Sequence, residues 1–147
     1  MGVGSSLLHR LTDQAFAPET VYRLWLQGHG AKTPTEVLSA PSWCSTLKST
    51  AQWHDARDEM QRIGLPVHND GPKNWDTQII SAAMLSTDGP ILDAGAETYS
   101  MILAVLYLYG RRDLTGINLA FDKPFRRGPI NFEPGDITHT RFADETF

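Results

Sequence analysis

The chain has 147 residues, of which 41% are hydrophobic and 20% charged, and this composition is typical of a folded globular protein rather than a disordered one. A formal net charge of −4 gives no general attraction to phosphate backbones, so we expect no nucleic-acid partner. The longest apolar run, residues 101–109, is much shorter than the roughly 20 residues of a membrane-spanning helix, so we expect no membrane partner either.

The part of the chain before residue 68 carries helix signals and no strand signals. A first helix is predicted from Pro18 to Gly28 or Gly30, because proline is common at helix starts and glycine at helix ends. The helical spacing of its apolar residues predicts the side that faces the core: Val21, Leu24 and Trp25.

Two further helices are predicted in this part of the chain. The shorter one begins at Pro34, with Thr33 and Glu36 as its capping pair, and ends before Pro41. The longer one covers residues 46–63 and is amphipathic. Its predicted inward positions are Leu47, Ala51, Met60 and Ile63.

The sequence offers little for metal binding or disulfide chemistry. Cys44 is the only cysteine, so it makes no internal disulfide, and we expect a reducing, cytoplasmic location. His54 and Asp58 share a helix face at a spacing that suits a metal, but no third ligand is in view. We therefore expect a solvated helix face and no metal site.

A polar, turn-forming segment at residues 67–73 predicts a boundary in the chain. We interpret residues 1–67 as a helical N-terminal extension and residues 68–147 as a second unit. That unit opens with a predicted helix over residues 75–85. The inward positions of this helix are expected to be Ile79, Ile80, Ala83 and Met84.

Strands and one more helix follow. The pattern predicts strands at residues 91–92, 114–119 and 130–133, with a helix over residues 99–109 between the first two. Polar residues follow each strand, and parallel strands present such ends to a common crevice where a ligand binds. A nucleoside suits these ends, because its hydroxyl and amino groups need acceptors and its ring needs apolar walls.

Three segments of the chain are ILDAGAETYS (residues 91–100), GINLAFD (116–122) and EPGDITHTRFADETF (133–147). In their order and spacing they resemble the first three motifs of class I S-adenosylmethionine-dependent methyltransferases, near the small-molecule type 11 branch. The resemblance covers residues 90–147, and residues 73–85 fit the helix before the first strand. It implies an α/β, Rossmann-like methyltransferase fold, incomplete here, with the first three parallel strands after a helical N-terminal extension. Phe147 falls where the fourth strand is expected, so we interpret the sequence as the N-terminal part of a longer enzyme.

By position, the resemblance implies contacts between this chain and S-adenosyl-L-methionine. The glycine turn would pass the methionine part, the end of the second strand the ribose, and the end of the third strand the adenine. The implied residues are, in that order, Asp93, Ala94, Gly95, Ala96 and Glu97, then Asn118 and Leu119, then Asp136 and Ile137.

The chain departs from the family pattern in two places. Of the three usual glycines only Gly95 is present, with Glu97 and Tyr99 at the other two positions. Asn118 occupies the usual acidic position, and an amide accepts a hydrogen bond but carries no charge. Glu97 or Asp122 are the alternative sources of the missing carboxylate.

The activity implied by the resemblance is methyl transfer from S-adenosyl-L-methionine to an unidentified small-molecule acceptor, and the sequence assigns no catalytic residue. The first strand, normally central, is expected at an exposed sheet edge, which favours self-association. One alternative is a truncated, non-catalytic interaction module in which residues 7–63 dock on a partner. The other is a nicotinamide-dependent oxidoreductase, but the G-x-G-x-x-G turn of that class is absent.

Structural roles compete with binding roles for several polar residues. Asp93 and Asp136 suit helix caps and turns as well as a ligand. Lys73, Asn74 and Asp76 would contact the carboxylate end of the cofactor or cap a helix. The loop KPFRRG, residues 123–128, would meet an anionic acceptor through its arginines or, as we expect by default, remain a solvated loop.

Overall fold

A computed structural model describes residues 15–39 and 45–147. The helices are α1 Glu19–Gly28, α2 Thr50–Arg62, α3 Gly71–Leu85 and α4 Met101–Leu108, and the strands are β1 Ile91–Ala94, β2 Leu114–Asn118, β3 Phe125–Arg127 and β4 Ile130–Pro134. The predicted α/β class is confirmed. Cys44 and the predicted end of the second helix lie outside the described residues.

The strands form one four-stranded sheet in the order β1-β2-β4-β3. β2 pairs in parallel with β1 on one side and with β4 on the other, whereas β3 pairs antiparallel with β4. The three predicted strands are therefore confirmed as parallel neighbours, in chain order, and β1 lies at an edge of the sheet. Their carboxyl ends meet at one side of the sheet, where Asn118 is paired with Pro134.

The strand β3 and its surroundings correct the prediction of a solvated loop over residues 123–128. Phe125 lies opposite Phe132 of β4, with the two rings stacked at 4.8 Å. Arg127 is only 1% exposed, its Nε donates to the carbonyl of Thr98 at 2.7 Å, and its guanidinium lies 4.3 Å from the centre of the Tyr99 ring. This segment forms a hairpin with β4 rather than a solvated loop, because a cross-strand aromatic pair and a buried arginine hold it there.

The inward face of α1 differs from the predicted one. Tyr22 and Leu26 are each 2% exposed, whereas Leu24 is 61% exposed and Val21 38%. The Tyr22 ring packs 5.5 Å from that of Tyr107 on α4. This aromatic contact across the chain sets the rotation of α1, so the predicted face of Val21 and Leu24 is wrong.

The predicted short helix after Pro34 is absent over residues 34–39, and the reason is a tertiary contact. The amide of Thr35 donates to the carbonyl of Ile63, at the end of α2, and Tyr109 Oη donates to the carbonyl of Glu36 at 2.7 Å. The Glu36 side chain pairs with Arg62 rather than capping a helix. Backbone groups that form hydrogen bonds with other elements cannot also form the hydrogen bonds of a local helix.

The helices α2 and α3 differ from prediction mainly at their starts. α2 begins at Thr50 rather than residue 46, and of its predicted inward residues Ala51 is exposed, whereas Met60 and Ile63 are buried as expected. α3 begins at Gly71, four positions before the predicted start at residue 75. Of its predicted inward residues, Ile79 is buried, Ala83 and Met84 are half-buried, and Ile80 is 42% exposed.

Two clusters of buried side chains form the core. The larger joins α1 to α4 and the sheet, and includes Tyr22, Leu26, Leu103, Leu106, Tyr107, Ile130 and Phe132. The smaller joins Leu38, Met60, Ile63, Leu65 and Val105. Residues from both sides of the predicted boundary at 67–68 thus share both clusters. Within the described part of the chain no helix is long and apolar enough to span a membrane.

Candidate functional site

A tight turn follows β1 and starts the candidate site. Gly95 has φ +88°, a left-handed conformation that side-chain-bearing residues rarely adopt. The amides of Gly95 and Ala96 both donate to the carbonyl of Ile117, at 2.8 Å and 3.0 Å. The glycine therefore lets the chain fold back from β1 across the end of β2, and the turn stays close to the sheet.

Asp93, the third residue of β1, connects the strand to α4. Ser100 Oγ donates to Asp93 Oδ2 at 2.6 Å and accepts from the amide of Leu103 at 3.2 Å. Ser100 is thus the N-cap of α4, held in place by the carboxylate. Asp93 therefore does not cap a helix itself, as one prediction had it, but holds the serine that does.

A hollow of about 270 Å³ lies between the β1 turn, α3 and the start of α4. The β1 turn supplies Asp93, Gly95, Ala96 and Glu97, so four of the five predicted methionine-side residues line one space. The helix α3 supplies residues at spacings of three and four that lie on one face. They are Lys73, Asp76, Thr77 and Ile80.

The predicted helix-cap residues divide between the wall of the hollow and the turn before α3. Asn74 is fully buried, accepts from the amide of His68 at 2.7 Å and donates to the carbonyl of the same residue at 2.9 Å. It therefore holds the turn. Lys73 and Asp76, on the other side of α3, face the hollow.

Lys73 and Glu97 form an ion pair at this hollow. Lys73 Nζ lies 2.9 Å from Glu97 Oε1, and the two side chains are 45% and 66% exposed. The hydrogen bond and the charge of Lys73 lower the pKa of Glu97, and the same contact from Glu97 raises the pKa of Lys73. A paired cation and anion thus line a concave surface.

This pairing predicts a measurable titration. In a Lys73→Met variant the Glu97 carboxylate loses its donor and its nearest cation, so the pKa of Glu97 should rise toward its ordinary value. Glu97 would then take up its proton at a higher pH than in the parent chain. Carboxyl-carbon NMR titration measures this shift. A Lys123→Met variant is the control, and equal Glu97 pKa values in all three chains would contradict the ion pair.

Asn118 lies at the end of β2, and both the nitrogen and the oxygen of its side-chain amide form hydrogen bonds with main-chain groups. Its Nδ2 donates to the carbonyl of Ala96 at 3.0 Å, and its Oδ1 accepts from the amide of Ala120 at 2.8 Å. The carbonyl of Asn118 also accepts from the amide of Gly135, at 3.2 Å, in the segment after β4. Asn118 therefore links the ends of all three parallel strands.

Asp136 lies just after β4 in a turn of its own. Its Oδ1 accepts from the amide and the hydroxyl of Thr138, at 2.8 Å and 2.7 Å, and these hydrogen bonds lower the pKa of Asp136. Two large apolar side chains lie exposed at these strand ends, Leu119 at 76% and Ile137 at 69%. None of these three residues lines the 270 Å³ hollow.

Sequence reasoning missed part of the wall of this hollow. His68, Thr77, Ile80, Ser100 and Met101 also line it. The spacing of these α3 residues, Lys73, Asp76, Thr77 and Ile80, indicates one helix face. No signal in the neighbouring sequence indicates that this face lies opposite the turn after β1. The serine before the apolar run of residues 101–108 was a visible cap signal.

Neither a group of metal ligands nor a similar known protein adds information about this site. Within residues 15–39 and 45–147, no three His, Cys, Asp or Glu side chains are grouped to hold a metal ion. His54 is exposed and its ring stacks on that of Trp53 at 3.6 Å. Comparison with protein-family models, curated proteins and solved structures yields no match to this chain.

Proposed function

We propose that the chain is the cofactor-binding part of an S-adenosylmethionine-dependent methyltransferase with a small-molecule acceptor, in a Rossmann-like fold and a cytoplasmic setting. One observation carries the proposal. The ends of three neighbouring parallel strands are joined by hydrogen bonds from the Gly95 turn through Asn118 to Gly135. Such a row of strand ends is where open α/β sheets bind nucleotide-like ligands.

The charges at the 270 Å³ hollow suit the amino-acid end of this cofactor. An α-carboxylate would be attracted to Lys73, and an α-ammonium group to the carboxylates of Glu97 and Asp93. The Lys73–Glu97 pair is exposed enough to open and exchange its partners for those of a zwitterion. Asp76 adds a third carboxylate to this lining, and the combination of one cation with three anions supports binding of a zwitterion with an ammonium group.

The adenosine end would lie across the ends of β2 and β4. The hollow itself, at about 270 Å³, is smaller than the roughly 300–1,000 Å³ of sites that enclose a whole drug-sized ligand. Leu119 and Ile137 offer exposed apolar surface to a flat ring, and Asp136 Oδ2 offers an acceptor to an amino group. Asn118 Oδ1, with one main-chain donor, keeps a lone pair for a ribose hydroxyl.

The chemistry is that of the cofactor, which supplies an activated methyl group when bound. The residues named here bind it and fix its position, and alignment of the acceptor completes what such a protein contributes. We assign no catalytic residue to the described part of the chain.

Calorimetric titration with S-adenosylhomocysteine tests the proposal. The parent chain should bind it, and Asp136→Ala should weaken binding by about tenfold or more, because a charge-assisted hydrogen bond contributes about 1.5–3 kcal/mol. Ile137→Ser should weaken it less, through lost apolar contact. Asp88→Ala, at an exposed position before β1, is the control and should change little.

The same titration separates the alternatives. Circular dichroism of each variant shows whether the fold is retained. No binding by the parent chain, or equal losses in Asp136→Ala and Asp88→Ala, would contradict the proposal. Binding of NAD instead would favour an oxidoreductase.

A chain that binds neither ligand would favour the interaction module. Such a module would dock on a partner through residues 7–63, whereas β1, at the sheet edge, is where the chain would pair with a second copy of itself. Self-association through this edge would appear as a mass that rises with concentration in sedimentation experiments.

A further inference from the structure

A second hollow, of about 500 Å³, lies between α1, the turn at residues 66–69 and the start of α4. Its size falls in the range of roughly 300–1,000 Å³ that encloses a small organic molecule. Ring-bearing side chains from all three elements line it, namely Tyr22, Trp25, His29, His68 and Tyr99. Leu26, Met101 and Ala104 add an apolar floor.

The rings form a preorganised wall. The Trp25 ring stacks on that of Tyr99, with centres 4.9 Å apart and planes 22° apart, and the His29 ring lies 4.3 Å from Trp25. Arg127 fixes the Tyr99 ring from another direction. Its side chain is buried, and its guanidinium lies 4.3 Å from the centre of that ring. Rings held by their neighbours lose little freedom when a further flat molecule packs beside them.

Two histidines of this wall are held in opposite tautomers. His29 Nδ1 lies 2.8 Å from the carbonyl of Trp25, which only accepts, so Nδ1 carries the proton and Nε2 of the neutral ring is an acceptor. His68 Nδ1 accepts from the amide of Asp70 at 2.8 Å, so its Nε2 carries the proton and is a donor. The two lining histidines thus carry one ring acceptor and one ring donor.

We infer that this hollow binds a planar, neutral aromatic molecule that carries a hydroxyl group. The aromatic ring would pack beside the edges of the stacked Trp25 and Tyr99 rings, and the hydroxyl would donate to His29 Nε2 and accept from His68 Nε2. A phenolic hydroxyl does both, whereas an ether only accepts. Glu97 also lines the hollow and disfavours a negatively charged ligand.

The 500 Å³ hollow has a further role, as the acceptor site, that rests on the proposed function. His68, Glu97, Tyr99 and Met101 line both hollows. A molecule in the 500 Å³ hollow would therefore lie beside a cofactor in the other, which is the place of a methyl acceptor. The aromatic site itself does not depend on this reading.

Calorimetric titration with three matched probes tests the inference, without any cofactor. The probes are 2-naphthol, 2-methoxynaphthalene, which cannot donate a hydrogen bond, and decahydro-2-naphthol, which is not aromatic. 2-Naphthol should bind about 2–10-fold more tightly than its methyl ether, as expected for one net hydrogen bond. It should also bind more tightly than the saturated alcohol, which lacks the flat face.

Two matched histidine variants locate the contact. His29→Phe keeps the ring beside Trp25 but removes Nε2, so it should reduce 2-naphthol affinity about 2–10-fold and leave the methyl ether within twofold. His54→Phe, on α2 and outside the hollow, should change neither. Circular dichroism confirms that both variants are folded.

Three results would overturn the inference: no binding of 2-naphthol, equal binding of the saturated alcohol, or equal effects of the two histidine variants. A separate titration with S-adenosylhomocysteine tests the proposed function by itself. If 2-naphthol binds and S-adenosylhomocysteine does not, the aromatic site stands and its role as an acceptor site is withdrawn.

Discussion

Replacement of Leu26 by alanine is expected to lower the free energy of unfolding by about 2–5 kcal/mol, the usual cost of truncating a buried leucine. Leu26 is 2% exposed and belongs to the cluster that contains Leu103 and Tyr107 of α4. Leu24→Ala makes the same chemical change on the same helix, at a side chain that is 61% exposed. We expect it to cost about 0.5 kcal/mol or less.

Urea unfolding followed by circular dichroism measures both variants. A small domain has about 5–15 kcal/mol of stability in total, so the Leu26 variant should show a much lower urea midpoint or be partly unfolded without urea. Equal losses for the two leucines, or a larger loss for Leu24, would contradict the observed rotation of α1. They would restore the face that the sequence predicts.

The rotation of α1 shows where prediction from sequence reaches its limit. The bounds of α1 follow from Pro18 and the glycines that end it, which are local signals. Its inward face does not, because Tyr22 and Leu26 are spaced as well for a helix as Val21 and Leu24 are. The choice is made by Tyr107, which is far away in the sequence.

The segment at residues 34–39 shows the same limit for helix existence. Its local signals were those of a capped helix, but a helix of about two turns has little stability of its own. The hydrogen bond from Thr35 to the end of α2 and the burial of Leu38 override that preference. Strong, longer patterns, such as the apolar run that forms α4, were not affected in this way.

The candidate site was predictable in position and less so in its contacts. The family resemblance implied Asp93, Ala94, Gly95, Ala96 and Glu97 as cofactor contacts, and all of them but Ala94 line the hollow. Sequence alone could not show that Asp93 would bind Ser100, or that Asn118 would bond to main-chain groups at both ends. Short-range partners of this kind depend on the exact course of the turns.

The strand β3 was missed because it has no pattern of its own. Its three residues, FRR, contain two charges, and charges in sequence usually mark solvent. The strand exists because β4 offers a free edge and Phe125 finds Phe132 directly opposite. Removal of that aromatic anchor should therefore be costly.

Phe132→Ala is expected to lower the free energy of unfolding by about 3–5 kcal/mol, as for other buried phenylalanines. Phe132 is 1% exposed, stacks on Phe125 at 4.8 Å and meets the edge of Phe121 at 6.0 Å. On its β2 side the ring fits over Gly116, where an added Cβ would lie 2.9 Å from a ring carbon. Alanine at position 132 would leave this space empty and deprive β3 of its partner ring.

Phe142→Ala is the matched control, because Phe142 is half-buried and its main aromatic contact is Phe147, which is 46% exposed. We expect it to cost clearly less, about 1 kcal/mol. Urea unfolding compares the two, and amide hydrogen exchange of residues 125–127 reports whether β3 is released first in Phe132→Ala. Equal stability losses, or unchanged exchange in β3, would show that the hairpin does not depend on the Phe125–Phe132 stack.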